Sequence, residues 1–190
     1  MRNEQDWLLR IRPLYVEAFP PRIQKVLMSK ITEKEIITPI ESTFITGEVN
    51  FGKTILACQM MLQEQKNVYL RNGPKDASDL CKFISVPDLY EEIKATFNPD
   101  SKYSTQEVLN YYCNTRLLVL DDFGTIKPTD WILQTLYQII NHRYDYLKTT
   151  IITSNHSLPE IAKILGDDRI TSRIDRMCKV IHKSDWRKVA

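Results

Sequence analysis

The chain has 190 residues, 43% of them hydrophobic and 26% charged, which indicates one globular domain and excludes a wholly disordered chain. Residues 1–30 hold six basic and three acidic residues, and residues 163–190 hold eight and four, whereas residues 31–162 hold twelve and seventeen. Basic ends on an acidic body suit a polyanionic partner, although solvated surface gives the same pattern. With no apolar run of ~20 residues and no signal peptide, we expect a soluble cytoplasmic protein of a bacterium or phage-infected cell, without a membrane partner.

The predicted elements begin with a short helical arm over residues 1–38, broken at Pro13 and at Pro20–Pro21. The rest of the chain, residues 39–190, alternates short apolar runs with helical patterns, and several runs are continuous rather than alternating. That arrangement favours an α/β domain with a parallel sheet covered on both faces. The strand candidates are Phe44–Thr46, Val68–Leu70, Lys82–Val86, Leu117–Leu120, Thr149–Thr153 and Val180–Ile181. The helix candidates are Thr54–Gln65, Thr129–Tyr146 and three segments that begin after Ser85, Ser104 and Ser157.

The four cysteines show no C-x-x-C spacing, and three of them have apolar neighbours. We therefore expect buried, reduced thiols, with a disulfide framework or a zinc site as the alternative. The cysteines are Cys58, Cys81, Cys113 and Cys178.

A phosphate-binding loop is predicted at residues 47–54, which fit the pattern G-x-x-x-x-G-K-[ST] between a predicted strand and a predicted helix. Gly47 and Gly52 let the backbone curl so that its N–H groups point at phosphate oxygens beside a helix N-terminus. Lys53 can reach the β- and γ-phosphates of ATP, and the Thr54 hydroxyl can ligate Mg²⁺. The expected nucleotide-binding residues are Gly47, Glu48, Val49, Asn50, Phe51, Gly52, Lys53, Thr54 and Ile55.

Two adjacent carboxylates, Asp121 and Asp122, follow the apolar run Leu117–Leu120, at the strand end where ligands bind in open α/β sheets. We expect Asp121 to hold Mg²⁺, through water, and Asp122 to orient or deprotonate the attacking water. A turn or a helix cap is the alternative explanation of an Asp–Asp pair.

Asn155 ends another strand candidate, and its amide has both a donor and an acceptor with which to position water beside Asp122. An asparagine at that place is also a common turn former. Arg169 and Arg173 lie four residues apart on one face of a predicted helix, where either could reach a neighbouring subunit or simply face solvent.

Together these segments resemble the AAA+ ATPases of the DnaC/IstB type, which are bacterial replicative-helicase loaders and transposition helper ATPases. The likeness covers most of the chain. Its most specific parts are Leu120–Gly124, Thr150–Asn155 and Arg169–Ile174, and Val86–Leu89 and the tail Ser184–Arg187 add to it.

The resemblance implies a P-loop AAA+ domain with a parallel five-stranded sheet flanked by helices and no C-terminal lid domain. It implies a Walker A motif at 47–54, a Walker B motif at 117–122, sensor 1 at Asn155 and a trans-acting arginine, best matched by Arg173 with Arg169 in reserve. It also implies homo-oligomers with ATP at subunit interfaces and single-stranded DNA along the central axis. The expected catalytic residues are Lys53, Asp121, Asp122, Asn155 and Arg173.

The function we expect is an ATPase that loads a replicative helicase onto single-stranded DNA. The alternatives are a transposition helper and a nucleotide-binding DNA adaptor without significant turnover. The sequence departs from the loaders because little chain precedes the phosphate loop, so a helicase contact would have to shrink to an arm containing Trp7 and Leu14. Residues 71–81 also look like an insertion.

Overall fold

The computed structural model describes residues 7–29, 40–73 and 80–182. In this part of the chain five strands form one sheet in the order β2-β3-β4-β1-β5, and every neighbouring pair is parallel. The strands are β1 (Thr43–Thr46), β2 (Cys81–Ser85), β3 (Leu117–Asp121), β4 (Thr149–Ser154) and β5 (Lys179–His182). The predicted α/β class and the parallel five-stranded sheet are therefore confirmed.

Eight α-helices flank this sheet in the described residues, preceded by a π-helical turn at Trp7–Ile11. They are α1 (Arg12–Val16), α2 (Pro21–Ser29), α3 (Lys53–Asn72), α4 (Val86–Ala95), α5 (Thr105–Asn114), α6 (Asp130–Asp145), α7 (Leu158–Leu165) and α8 (Arg169–Met177). The predicted helix starts are confirmed, because Ser85 and Thr129 accept hydrogen bonds from backbone N–H groups and Ser104 and Ser157 form capping boxes.

The two faces of the sheet carry separate hydrophobic clusters. Helices α4–α8 cover one face, where Leu118, Leu120 and Ile152 are buried beneath them. The N-terminal helices and α3 cover the other face, over Val119 and Ile151. Burial on both sides explains why β3 is a continuous apolar run instead of an alternating one.

The N-terminal helices pack directly on α3. Trp7 is only 2% exposed, and its ring lies 5.2 Å from that of Tyr15 and 5.5 Å from that of Tyr69 on α3. Leu14, in contrast, is 62% exposed. Pro13 lies in the first turn of α1 and Pro21 begins α2, where a missing N–H costs nothing. The domain boundary expected at residue 38 falls outside the described residues.

One predicted strand, Val68–Leu70, is wrong, since these residues belong to α3, which continues to Asn72 instead of ending at Gln65. Val68 and Tyr69 are buried along with Met61, at helical spacing, whereas Leu70 is 37% exposed. The apolar triplet therefore combines two core residues with one that faces outward. It also shortens the supposed insertion, because residues 71–72 are helical and residues 74–79 lie outside the described part.

All four cysteines are buried and free, as predicted. Burial raises the pKa of Cys81 and of Cys178 to about 12, which keeps these thiols protonated and unreactive at neutral pH. Within the described ranges no cluster of three or more histidine, cysteine or carboxylate side chains could hold a metal by itself. None of the helices described there is both long and apolar enough to cross a membrane.

A fully buried arginine, Arg143, joins helices α5 and α6 to the sheet. Its Nη1 donates to the carbonyl oxygens of Tyr112 and Thr115, both at 2.8 Å, where the last carbonyls of α5 lack helical partners. Its Nη2 donates to the Thr149 carbonyl at 2.6 Å and its Nε to Thr150 Oγ1 at 2.9 Å. Burial lowers the pKa of Arg143 to about 10, so the guanidinium stays charged at neutral pH.

We predict that Arg143→Met destabilises the fold by about 3 kcal/mol, because it leaves several buried carbonyl groups without donors. The stability of Arg143→Lys should lie between those of the wild type and Arg143→Met, since an ammonium cannot reproduce the planar fork of the guanidinium. Chemical denaturation measures both free energies of unfolding. Arg176→Met, at an exposed position of α8, is the matched control. Equal midpoints for Arg143→Met and the control would contradict this assignment.

Candidate functional site

The phosphate loop lies where it was predicted, between β1 and α3. Gly52 is the N-cap of α3 and has a φ of 75°, in the left-handed region that favours glycine. Asn50, with a φ of 69°, adopts the same region. Glu48, Val49 and Asn50 are exposed at the tip of the loop, and Phe51, Thr54 and Ile55 are half-buried along its approach to the helix. The loop thus presents a helix N-terminus beside an accessible backbone turn.

Lys53 occupies the centre of the loop. Its Nζ donates to the carbonyl oxygens of Gly47, at 2.9 Å, and Glu48, at 2.7 Å. Burial lowers its pKa, and the carboxylates of Asp122 and Asp121 act in the opposite direction. The ammonium is therefore enclosed by the loop and lies within the electrostatic field of both acidic residues, where phosphate oxygens can exchange for the two carbonyls.

Thr54 and Asp121 are in direct contact, although 67 positions separate them in the sequence. The Thr54 hydroxyl donates to both carboxylate oxygens of Asp121, at 2.9 and 3.1 Å. Donation of its proton leaves the oxygen lone pairs of Thr54 available to a cation. A hydroxyl oxygen and a carboxylate side by side are the hard donors that Mg²⁺ prefers, so the residues present fit a magnesium ion shared with nucleotide phosphates.

Asp121 is only 5% exposed at the end of β3. Burial raises the pKa of this carboxyl, and the neighbouring charge of Asp122 adds to the effect, whereas hydrogen bonds from Thr153 and Thr54 lower it. The Thr153 hydroxyl donates to Asp121 Oδ1 at 2.5 Å. A buried carboxylate that relies on two hydroxyl donors gains further from a nearby cation.

Asp122 leaves the strand in a sharp turn. Its φ is 56°, which aspartate tolerates better than most residues. Its N–H donates to Thr153 Oγ1 at 3.1 Å, and the next N–H, of Phe123, donates to the Thr153 carbonyl at 2.8 Å. Gly124 completes the turn with a φ of 82°, and a β-carbon there would lie 3.0 Å from Ile161 of α7. The turn leaves the Asp122 side chain half-buried.

Asn155 follows β4 directly and is exposed. Since β4 lies between β3 and β1 in the sheet, Asn155 ends the strand that separates the acidic pair from the phosphate loop. Two further hydroxyls fix these strand ends: Ser154 Oγ donates to the Phe123 carbonyl at 2.6 Å, and Thr46 Oγ1 to the His156 carbonyl at 2.9 Å. Lys53, Thr54, Asp121 and Asp122 thus meet at the carboxyl edge of the sheet, and Asn155 lies at the same edge.

Arg173 and Arg169 share one face of α8, as predicted, and both lie over the ring of Tyr137 on α6, at 5.0 and 4.9 Å. Arg173 Nε also donates to Asn141 Oδ1 at 2.5 Å, and Arg169 pairs with Asp167 at 2.6 Å. Among the contacts of the described residues, none joins either arginine to the phosphate loop or to the acidic pair of the same chain.

Sequence reasoning missed Thr153, which forms hydrogen bonds with both members of the acidic pair, and also Tyr137 and Asn141 beside the arginines. The available signal for Thr153 was its place near the end of the predicted strand that leads to Asn155. Tyr137 and Asn141 lie one turn apart on α6 with nothing in the local sequence to mark them, because their role depends on the packing of α8.

The family profile described as "IstB-like ATP binding protein" matches residues 18–189. The chain belongs to this family. Its relatives include the replicative helicase loader DnaC of Escherichia coli K12, which is 28% identical over 138 residues, covering 71% of this chain and 50% of DnaC. The chain thus spans about half the length of the curated relatives it matches first.

Solved structures agree on the fold. A crystal structure of the DnaC helicase loader has a TM-score of 0.60 and 26% identity, and the alignment covers 96% of this chain and 92% of that one. AMPPCP-bound DnaA from Aquifex aeolicus has a TM-score of 0.58 at 19% identity, covering 97% of this chain and 48% of DnaA, and shares the fold alone. The predicted DnaC/IstB-type AAA+ identity is confirmed. The tail segment Ser184–Arg187, which also contributed to the resemblance, lies outside the described residues.

Proposed function

We propose that this chain is an ATPase of DNA replication that binds single-stranded DNA and loads a replicative helicase, hydrolysing ATP at the interfaces of a homo-oligomer. The observation that carries the proposal is the hydrogen-bonded pair of Thr54 and Asp121 beside the loop-enclosed Lys53. This arrangement suits the binding of nucleotide phosphates together with Mg²⁺. The similarity to DnaC loaders supports the replication role.

Nucleotide binding uses the loop first. The N–H groups at the start of α3 and the Lys53 ammonium meet the phosphate oxygens, and Lys53 exchanges its two loop carbonyls for the β- and γ-phosphates. Thr54 and Asp121 hold Mg²⁺, which when bound neutralises charge on the phosphates. Hydrogen bonds already hold the Asp121 side chain before the nucleotide binds, so this side chain does not have to become ordered during binding.

Hydrolysis then depends on Asp122 and Asn155. The half-buried carboxylate of Asp122 accepts a proton from, or orients, the attacking water, and the exposed amide of Asn155 holds that water beside the γ-phosphate. Arg173 acts on the site of the adjacent subunit, where its charge stabilises the transition state. Its contacts with Tyr137 and Asn141, away from its own phosphate loop, support a role in trans.

The client distinguishes two functions that share this machinery. A transposition helper, the second candidate, is favoured by the IstB-like family profile, whereas the similarity to DnaC favours a helicase. Pull-downs with this chain as bait, offered either the purified replicative helicase or a purified transposase, separate them: we expect capture of the helicase that increases with ATP. Capture of a transposase in place of the helicase would establish the second candidate.

We predict that Lys53→Ala loses most of its ATP affinity, because the cation that meets the phosphates is removed. Asp122→Asn should bind ATP normally and lose turnover by at least a hundredfold, since it keeps the shape and the left-handed backbone without the base. Calorimetry and phosphate release measure the two effects. Unchanged ATP affinity in Lys53→Ala would refute the site.

We also predict single-stranded DNA binding that ATP strengthens and salt weakens, because each neutralised phosphate releases counterions. The exposed aromatic pair Phe97 and Trp131, with ring centroids 4.6 Å apart, offers a surface on which bases can stack. Trp131→Ala should weaken binding by roughly tenfold in fluorescence anisotropy. Tyr146→Ala, just beyond the other end of α6, is the control. A larger loss in the control would place the DNA on a different face.

Our prediction for Arg173 is that Arg173→Ala binds ATP almost normally and hydrolyses it poorly. Mixing Arg173→Ala with Asp122→Asn should restore part of the activity, because some interfaces then combine an intact Asp122 with an intact Arg173 from the neighbouring subunit. Steady-state ATPase assays of the mixture measure this recovery. No recovery after demonstrated subunit exchange would indicate a role in cis, and recovery with Arg169→Ala in place of Arg173→Ala would identify Arg169 as the finger.

A further inference from the structure

Thr153 makes three hydrogen bonds to three consecutive residues of the site. Its hydroxyl donates to Asp121 Oδ1 and accepts from the N–H of Asp122 at 3.1 Å, and its carbonyl accepts from the N–H of Phe123 at 2.8 Å. Its side chain is fully buried on β4. One residue of a neighbouring strand therefore contacts both the carboxylate expected to hold Mg²⁺ and the backbone that aims the expected base.

The hydrogen-bond capacity of Thr153 is used in a defined way. A hydroxyl has one proton, which goes to Asp121, and a lone pair then accepts from Asp122. Valine has the same shape and offers neither bond, whereas serine offers both. The contribution of the hydroxyl can thus be separated from the contribution of the side-chain volume.

Asp121 has two hydroxyl donors on different elements. Thr54 lies in the first turn of α3 and, by the proposed function, becomes a ligand of Mg²⁺, whereas Thr153 lies within a strand that pairs with neighbours on both sides. The bond from Thr153 is therefore the one that can persist when Thr54 changes its contacts.

We propose that Thr153 is the positioning residue of this site, which fixes the Asp121 carboxylate for Mg²⁺ and the turn that directs Asp122. The proposal rests on the proposed function, because it assigns a role in magnesium-dependent ATP binding. It goes beyond that function by naming a fully buried residue that acts through the acidic pair.

A matched control lies on the same strand. Thr150 is also fully buried, and its hydroxyl donates to the Lys148 carbonyl at 3.0 Å and accepts from Arg143 Nε at 2.9 Å. It lies near the opposite end of β4 from the site. Thr150→Val therefore removes a buried threonine hydroxyl from the same strand without touching Asp121 or Asp122.

The experiment measures the affinity for a non-hydrolysable ATP analogue by calorimetry, with Mg²⁺ and with EDTA, for the wild type, Thr153→Val, Thr153→Ser and Thr150→Val. The gain from Mg²⁺ is the ratio of the affinity measured with Mg²⁺ to the affinity measured in EDTA. We expect this gain to be roughly tenfold smaller in Thr153→Val than in the wild type, with the affinity in EDTA unchanged. Thr153→Ser should retain most of that gain. Thr150→Val should lower the melting temperature and keep the gain from Mg²⁺.

Two results would overturn the proposal: a full magnesium gain in Thr153→Val, or an equal loss in Thr150→Val, which would indicate general destabilisation of β4. If Thr153→Val does not fold, Thr153→Ala takes its place, because the smaller side chain avoids any steric conflict and still lacks the hydroxyl. A wild type that binds no nucleotide would refute the proposed function itself and this inference with it. If Mg²⁺ raises the affinity for the ATP analogue equally in the wild type and in the Thr153 variant, this inference alone is refuted.

Discussion

The buried carboxylate of Asp121 is the constraint on which the site depends. A carboxylate in the interior is costly unless its oxygens are hydrogen-bonded, and this one is satisfied by Thr54 from the phosphate loop and Thr153 from β4. Three separate segments must therefore come together before the carboxylate can be buried. The same bonds hold the loop, the acidic turn and β4 at fixed distances from one another.

The strand order explains why these segments meet. The phosphate loop follows β1 and the acidic pair follows β3, and β4 lies between them, parallel to both. In a sheet of sequentially neighbouring strands, β4 would lie outside this pair. Because it is inserted, its carboxyl end supplies Thr153 on the side of β3 and leads to His156, whose carbonyl accepts from Thr46 on the side of β1. Asn155 lies between Thr153 and His156 in the sequence, at the same edge of the sheet as the phosphate loop.

The parts of the fold that sequence predicted are those with local signals. A glycine-containing loop, a serine three residues before a glutamate and a continuous apolar run each identify their element without knowledge of the rest. Val68–Leu70 was mistaken for a strand because a short apolar triplet has no period of its own, and burial of α3 against the N-terminal helices decided its conformation. Arg143 carried no local signal, and Thr153 had only its place near the end of a predicted strand, since the partners of both residues lie on other elements.

The arginines of α8 are held by contacts within their own chain. Tyr137 lies beneath both guanidinium groups, and Asn141 accepts from Arg173, so the long side chain is ordered by its own chain before any neighbour is present. Immobilising such a side chain costs about 2 kcal/mol of conformational entropy. If Arg173 completes the site of an adjacent subunit, that cost is met within the folded protomer, and assembly has only to align two surfaces that are already arranged. The aromatic ring also shields one face of the guanidinium from water, and in such a subunit interface that shielding would strengthen its attraction to a phosphate.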